Sequence, residues 1–583
     1  MSARQALPHP LAPEQRPVSG YDVAWLVASL AIVLAPHVLH APWWLTIFTL
    51  CLYGWRVYCS LTRTALPSRW LLLAVAALAL VLVWFQSRTL FGRTAGILLL
   101  MVFSGLKLME TRNHRDAAVA VFLGYFLVIT NFLFTQSMAT AVGMVGALLV
   151  LTGALVAFSA PMRPARANLR TAAQLLLLAT PTALVLFLLF PRVQGPLWGL
   201  PQDAYAGVSG LSDSMAPGNI SQLALSDAIA FRAEFQGEPP AQRQLYWRGP
   251  VLWDFDGRTW TMGGNVLARY TPPESGGDRF RYSVLLEAHN REWLFALESA
   301  ASLPDNARFS PDGQVLLQFP VRSRLRYTIT SISVSETRPD ESQMMLTRAL
   351  RLPRNFNPRA TALAQEWRAT SASEPEILAK AIAFLRAGNF TYTLEPPPLT
   401  ENSVDDFLFH TKAGFCEHFS SAFVFLMRAA GIPARVVIGY QGGDTNPVDR
   451  IITVRQSDAH AWAEIFVRGR GWVRVDPTAA TAPGRVDSGV ARAAADSQAL
   501  PYLMRTELQW LRSLRYRWDA LAHRWNVWVL GYNPERQRDL MSWLGMRDAD
   551  WLDLASTLLA ALGGFVLLLL AWMLRRMARP DPV

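Results

Sequence analysis

Long apolar runs mark both ends of this chain, while its middle alternates between strand-like and helix-like periods. A membrane-spanning helix needs about 20 predominantly apolar residues. Such runs occupy roughly 22–40, 43–61, 70–86, 94–110, 117–135, 138–160 and 171–191, and an isolated eighth covers Leu552 to Leu574. The second is the weakest, because Arg56 interrupts it. The first is not a cleavable signal, since further apolar runs follow at once and no small-residue cleavage site stands out.

Between residues 222 and 335 the pattern changes to period two. Ala228–Phe235, Leu245–Trp253, Phe280–Glu287 and Leu325–Val334 alternate apolar and polar positions, separated by Gly, Pro and Asp clusters such as Asp254-Phe255-Asp256-Gly257. That pattern predicts antiparallel strands in a sandwich or barrel. Nothing in this stretch reads as catalytic. Tyr246-Trp247-Arg248 and Trp260 either bind ligand or fill a core, and strand aromatics favour the core. Near residue 355 the spacing turns helical. Ala360–Trp367 and Pro375–Arg386 form helices, the second with Ser373 as N-cap, and Phe415–Gly431 forms a third, closed by Gly431 and Pro433. Strand-like runs follow at Ala434–Tyr440, Ile451–Arg455, His460–Val467 and Gly471–Asp476. Helices followed by an antiparallel sheet indicate an α+β domain.

Composition and charge agree with a membrane protein. The 583-residue chain has 17% charged residues, a mean hydropathy of +0.18 and a formal charge of +11. Such a charge raises the question of nucleic acid, but the arginines gather in short loops between the apolar runs and in Arg575-Arg576-Met577-Ala578-Arg579. With a cytoplasmic N-terminus, the inside loops carry Arg63 and Arg69, then Arg112 and Arg115, then Arg163, Arg166 and Arg170. The outside loops hold His40-Ala41-Pro42, Arg88 with Arg93, and Gln136-Ser137. The positive-inside rule favours this orientation. Seven spans then place residues 194–550 outside, and the eighth returns the arginine cluster to the cytoplasm. The lipid bilayer is therefore an expected partner and nucleic acid is not. Lys107 and Glu110, three apart near the end of the fourth run, read as an interfacial pair snorkelling to the headgroups rather than an intramembrane functional site.

Of the three cysteines, Cys51 and Cys59 fall in the second apolar run, which leaves Cys416 alone in the outer segment. An oxidising compartment favours paired cysteines. A lone one is either a small buried hydrophobe or a reactive group, and position favours the second reading. Cys416 follows Ala413-Gly414-Phe415 and opens a helix, where backbone N–H groups favour the thiolate. A thiolate nucleophile needs an imidazole, and that imidazole needs an orienting partner. His460 begins one strand and Asp476 ends the next, with Arg468–Gly471 as the turn between them. The two share a face only if opposed residue numbers sum to an even value, which requires a loop of odd length or a bulge. His418, two residues from Cys416 on the same helix, points away from it and reads as structural. His410 lies before the helix and is a lesser alternative. No Cys/His/carboxylate cluster matches zinc or calcium patterns, and no cofactor is expected.

The motifs Gly414-Phe415-Cys416-Glu417-His418-Phe419-Ser420, Gly431-Ile432-Pro433-Ala434-Arg435, His460-Ala461-Trp462 and Asp476-Pro477-Thr478 resemble the core of bacterial transglutaminase-like proteins. Phe190-Pro191-Arg192, Gly195-Pro196-Leu197-Trp198 and Tyr246-Trp247-Arg248-Gly249 are similar to segments of membrane-embedded protein-glutamine gamma-glutamyltransferases of the TgpA type. The resemblance covers nearly the whole chain. It implies an α-helical transmembrane bundle at 1–193, a β-rich extracytoplasmic domain at 194–340 and a papain-like α+β transglutaminase core at 341–490. An amphipathic linker at 491–550 and a C-terminal transmembrane helix with a short tail at 551–583 complete the expected multi-domain organisation. It also implies the bacterial inner membrane, with the catalytic domain on the periplasmic side. Family members often carry a further cytoplasmic domain after the last span. This chain ends at Val583, nine residues beyond Leu574, so that domain's function is expected to be absent or supplied by another protein.

The chemistry implied by the resemblance is ping-pong acyl transfer. Cys416 is the nucleophile, His460 the base and Asp476 its orienter, taking a protein or peptide glutamine to a thioester and then to an amine acceptor in the cell envelope. Two rivals stand beside it. One is a cysteine peptidase or amidase with water as acceptor; the other is a catalytically silent envelope scaffold. Beyond the core, Leu503–Trp528 spaces Trp510, Leu514, Trp518, Leu521, Trp525 and Trp528 by three or four, one face of an amphipathic helix. That face suits either the membrane interface, where Trp is enriched, or packing on the catalytic domain.

Overall fold

The structure, a computed structural model, describes residues 16–90, 92–160, 163–190, 210–264, 270, 272, 277–333, 341–484, 509–532, 534–546 and 551–577. The Gly195–Trp198 motif, the start of the amphipathic stretch and the last residues of the arginine cluster lie outside them. The chain divides into two compact units, one made of Met1–Ala204 with Arg524–Val583 and the other of Tyr205–His523.

In the first unit helices stand at every position where an apolar run predicts one. They are α1 (Gly20–Leu34, extended by a 3₁₀ turn to Leu39), α2 (Trp43–Thr62), α3 (Arg69–Ser87), α4 (Arg93–Glu110), α5 (His114–Asn131), α6 (Met138–Ser159), α7 (Ala165–Leu189) and a C-terminal helix, Trp551–Met577. Five of them, covering 20–39, 69–87, 138–159, 165–189 and 552–575, are long and apolar enough to cross a membrane. The other three, α2, α4 and α5, carry charges within their length: Arg56 on α2, Arg93, Lys107 and Glu110 on α4, and Arg115 and Asp116 on α5. Arg56 is buried inside the bundle, where its guanidinium donates to the Thr111 carbonyl at 3.2 Å, so the interruption of the second run faces protein. Lys107 pairs with Glu110 at 3.0 Å and lies 3.5 Å from Asp116.

The second unit is built on two antiparallel sheets. Their strands are β1 (Ile229–Phe235), β2 (Tyr246–Leu252), β3 (Arg279–Leu286), β4 (Ala296–Leu297), β5 (Ser299–Ala300), β6 (Leu325–Ile332), β7 (Ala434–Gln441), β8 (Asp444–Thr445), β9 (Ile452–Arg455), β10 (Ala459–Val467) and β11 (Gly471–Val475). One sheet runs β11-β10-β7-β2-β4 and the other β8-β9-β1-β3-β6-β5. Both therefore mix strands from before and after residue 340: β2 pairs with β7, and β1 with β9. The change of period near residue 355 marks where helices begin, and it does not separate two sheets.

Helices α8 (Asn219–Ala224), α9 (Pro358–Thr370), α10 (Glu374–Ala387) and α11 (Cys416–Ala429) complete the core. Ser373 stands at the N-cap of α10. α11 ends as its sequence requires: Gly431 takes φ +81°, and its N–H and that of Ile432 return to the carbonyls of Arg428 and Met427. One face of the first sheet packs Val436, Ile438, Ala461 and Ala463 into the same core as Phe419, Phe423 and Met427 of α11. Its other face carries a separate cluster with Tyr246, Trp253, Trp462 and Trp472.

Helix α12 (Gln509–Trp525) leaves Trp510, Leu514, Trp518 and Leu521 exposed, so this face does not fill the core of the second unit. Its polar side holds on instead. Tyr516 and Arg515 bond Asp444, Asn446 bonds the Tyr516 carbonyl, and Asp519 meets Arg455.

Candidate active site

Cys416 is the first residue of α11 and is fully buried. Its sulfur stands at a helix N-terminus, where backbone N–H groups and the helix dipole favour an anion. One turn further on, Ser420 Oγ donates to the Ala461 carbonyl at 2.8 Å, which binds the start of α11 to the start of β10 beside His460. His418 turns back on its own helix. Its Nδ1 accepts the Phe415 N–H at 3.2 Å, and burial lowers its pKa to about 4, so it is a neutral structural imidazole. His410 is exposed and meets Arg359 at 3.1 Å, apart from His460 and Asp476.

The hairpin obeys the parity condition. Val467 opposes Gly471 and Glu464 opposes Arg474, so opposed numbers sum to an even value across a three-residue loop, Arg468-Gly469-Arg470. His460 and Asp476 thus project from one face as diagonal neighbours. His460 Nε2 lies 2.8 Å from Asp476 Oδ2. On its other side His460 pairs in register with Gly439, next to a bulge whose extra residue lies in β2, between Arg248 and Val251. A Cβ at 439 would lie 2.1 Å from the Trp247 carbonyl oxygen, so the close approach of β2 and β7 behind His460 requires glycine.

Asp476 has two further donors. The Tyr246 hydroxyl donates to Oδ2 at 2.8 Å, and the Thr478 N–H donates to Oδ1 at 3.0 Å. Burial alone would raise this carboxyl. The charge and hydrogen bond of His460, with those from Tyr246 and Thr478, outweigh it, and the pKa is lowered. Tyr246 was not legible as a site residue. It is 230 positions from Asp476, and only the pairing of β2 with β7 brings them together. Trp247 and Trp260, in contrast, are fully buried and fill the core as expected.

Two buried charged groups frame the site. Glu417, beside Cys416, accepts the N–H groups of Gly218 at 2.6 Å and Ile220 at 2.9 Å, and so holds α8 against α11. Its burial raises its pKa to about 7 in spite of those bonds. Glu464, two residues from Trp462 on β10, pairs with Arg248 and with Arg435, the latter at 2.7 Å. The Arg435 guanidinium also lies 4.0 Å from the Trp472 ring centroid. Among the described residues no group of three or more His, Cys, Asp or Glu side chains could hold a metal ion.

Residues 25–338 match the TgpA N-terminal domain family, and residues 361–477 match the transglutaminase-like superfamily. A protein-glutamine gamma-glutamyltransferase of Pseudomonas aeruginosa is 39% identical over 539 residues, 90% of this chain and 80% of its own length. The uncharacterized protein YebA of Bacillus subtilis is 44% identical over 102 residues, 16% of this chain and 14% of its own. The crystal structure of the periplasmic domain of TgpA from Pseudomonas aeruginosa is 40% identical, covers 48% of this chain and 98% of that one, and superposes with a TM-score of 0.47.

Proposed function

The chain belongs to the TgpA family of protein-glutamine gamma-glutamyltransferases, and on that premise we propose that Cys416, His460 and Asp476 carry its acyl transfer. The observation that supports this most is the 2.8 Å bond from His460 to Asp476, in a hairpin tied at Ala461 to the helix that Cys416 opens.

The Cys416 thiolate attacks the side-chain carboxamide carbon of a protein glutamine. His460 Nε2 is engaged by Asp476, so Nδ1 is the ring nitrogen that exchanges a proton with the sulfur and then with the leaving group. The tetrahedral oxyanion is met by the Cys416 backbone N–H at the helix start. Collapse breaks the C–N bond, ammonia leaves with a proton from His460, and a thioester remains. A primary amine then attacks the thioester while His460 takes its proton. The products are an isopeptide bond and the regenerated thiolate. Asp476 holds the imidazole in one orientation and steadies its charged form. The spread of arginines over the short loops supports placing residues 205–523 on the outer face of the membrane. Protease added to spheroplasts should then cut within that unit, and protection would place it inside.

The decisive assay uses the full-length protein with a glutamine peptide and a labelled primary amine. Wild type should incorporate label, and Cys416→Ala should lose about 10³-fold or more of that rate. Conversion of glutamine to glutamate without label would establish water as the acceptor instead. Equal incorporation by Cys416→Ala would remove the thiol from the mechanism.

A further inference from the structure

We propose that Tyr246 is a fourth member of the site, a positioning residue whose hydroxyl locks the Asp476 carboxylate in the plane that serves His460. This rests on the reading of Cys416, His460 and Asp476 as nucleophile, base and orienter.

Asp476 follows directly on the end of β11, where no further ladder bonds restrain it. A carboxylate held by one imidazole alone can turn about its Cβ–Cγ bond. Three donors remove that freedom here. His460 Nε2 and the Tyr246 hydroxyl share Oδ2 at 2.8 Å each, and the Thr478 N–H fixes Oδ1 at 3.0 Å. His460 comes from the hairpin that carries the site, and Thr478 opens the short helical turn directly after it. Tyr246 comes from β2, beyond β7 in the sheet order, and so refers Asp476 to a different part of the fold.

Tyr246 is itself held on several sides. Its ring meets Trp462 edge to face, with centroids 5.4 Å apart, and the Arg474 guanidinium lies over it at 3.7 Å. Arg474 is paired with Glu298, whose N–H donates to the Tyr246 carbonyl at 3.0 Å. Glu298 takes φ +44°, a left-handed conformation that non-glycine residues rarely adopt. That strained position puts a carboxylate on the arginine that caps the Tyr246 ring. Burial and the neighbouring Asp476 charge both raise the phenol pKa, so it stays protonated and acts as a donor. Packing requires only the ring; the hydroxyl is the part that touches Asp476.

Tyr246→Phe keeps the ring and removes the donor. In the full-length protein, kcat for amine incorporation should fall about tenfold with KM within about twofold, as expected for one charge-assisted hydrogen bond. Removing the phenol returns full negative charge to Asp476 and steadies the imidazolium. The alkaline limb of the pH profile should therefore move up by about half a unit. Alkylation of Cys416 by iodoacetate, whose carboxylate is drawn to the imidazolium and which slows as His460 loses its proton, should show the same shift by peptide mass spectrometry without any acyl substrate. Unchanged kcat and an unchanged alkylation profile, beside an active wild type, would overturn the positioning role alone. So would a loss of activity that tracks a lower melting temperature with both pH profiles unmoved. If wild type transfers no label but the alkylation shift is present, the role of Tyr246 stands and the acyl-transfer reading falls.

Discussion

Glu417 opens α11 with two backbone N–H groups as partners, whereas Glu464 lies on β10 between the guanidinium groups of Arg248 and Arg435. Both are out of water, at 1% and 5% exposure, so access to solvent does not distinguish them. Their partners do. Burial raises each, but at Glu417 nothing of opposite charge answers it, because His418 is neutral, and the pKa settles at about 7. At Glu464 the two arginines outweigh burial and draw the pKa to about 2. The helix end beside Cys416 is thus held by dipoles, and the far face of the sheet by full charges. The same residue type at similar depth therefore responds to pH in opposite directions.

The sharpest way to break this comparison is on the sheet. Glu464→Gln leaves Arg248 and Arg435 buried without a counter-charge. Unfolding in detergent, followed by near-ultraviolet circular dichroism, should show a loss of about 3–5 kcal/mol at pH 7. Adding Arg435→Met should recover part of that loss, because the second change removes one uncompensated charge. A loss under about 1 kcal/mol would mean that full charges do not hold this face. In wild type the contribution of Glu464 is present above its unfolded pKa of 4.5 and is lost as pH falls toward 2.

The sheet side should also tolerate little displacement, and Gly439 tests that. Ala at 439 forces Cβ against the Trp247 carbonyl, where the neighbour is backbone and has little room to yield. Gly439→Ala should cost about 2–3 kcal/mol and lower amine incorporation, since residue 439 stands opposite His460. Normal stability and activity would show that β2 and β7 can part without disturbing the site.

Much of the frame around these groups was legible in the sequence, for reasons that are local. Apolar runs placed the helices of the first unit, and Gly431 with Pro433 marked the end of α11. Residue numbers alone gave the parity condition for the β10–β11 hairpin, while the three-residue loop that meets it, with Gly471 in the strand rather than the turn, came from the structure. What escaped was non-local. Alternation shows that Ile229–Phe235 and Tyr246–Leu252 are strands but not which strands they meet, because period two leaves partner choice open. Hence the interleaving of strands across residue 340, the hydroxyl of Tyr246 on Asp476, and the pairing of Arg248 with Glu464 appear only in three dimensions. The Glu417 contacts escaped for the same reason: Gly218 and Ile220 lie about 200 residues away.

Glu417 gives the smallest effect near pH 8 and the clearest sign. A carboxyl whose folded pKa lies above its unfolded value binds its proton more tightly when folded. Its contribution to stability is complete below about 4.5 and is lost as pH rises to about 7, the reverse of Glu464. Glu417→Gln replaces it with a neutral group that cannot titrate. The amide oxygen still accepts one N–H, but the amide nitrogen faces the other as a second donor. At pH 8 the release of a buried charge and the loss of one acceptor oppose each other, leaving a difference of about 1 kcal/mol or less. Between pH 4.5 and 7 the curves should part, with the stability of wild type falling relative to the variant as pH rises. Parallel curves through that window would mean that Glu417 ionises there as an ordinary carboxylate. The helix end would then be held by charge after all, and the two glutamates would differ only in their neighbours' names.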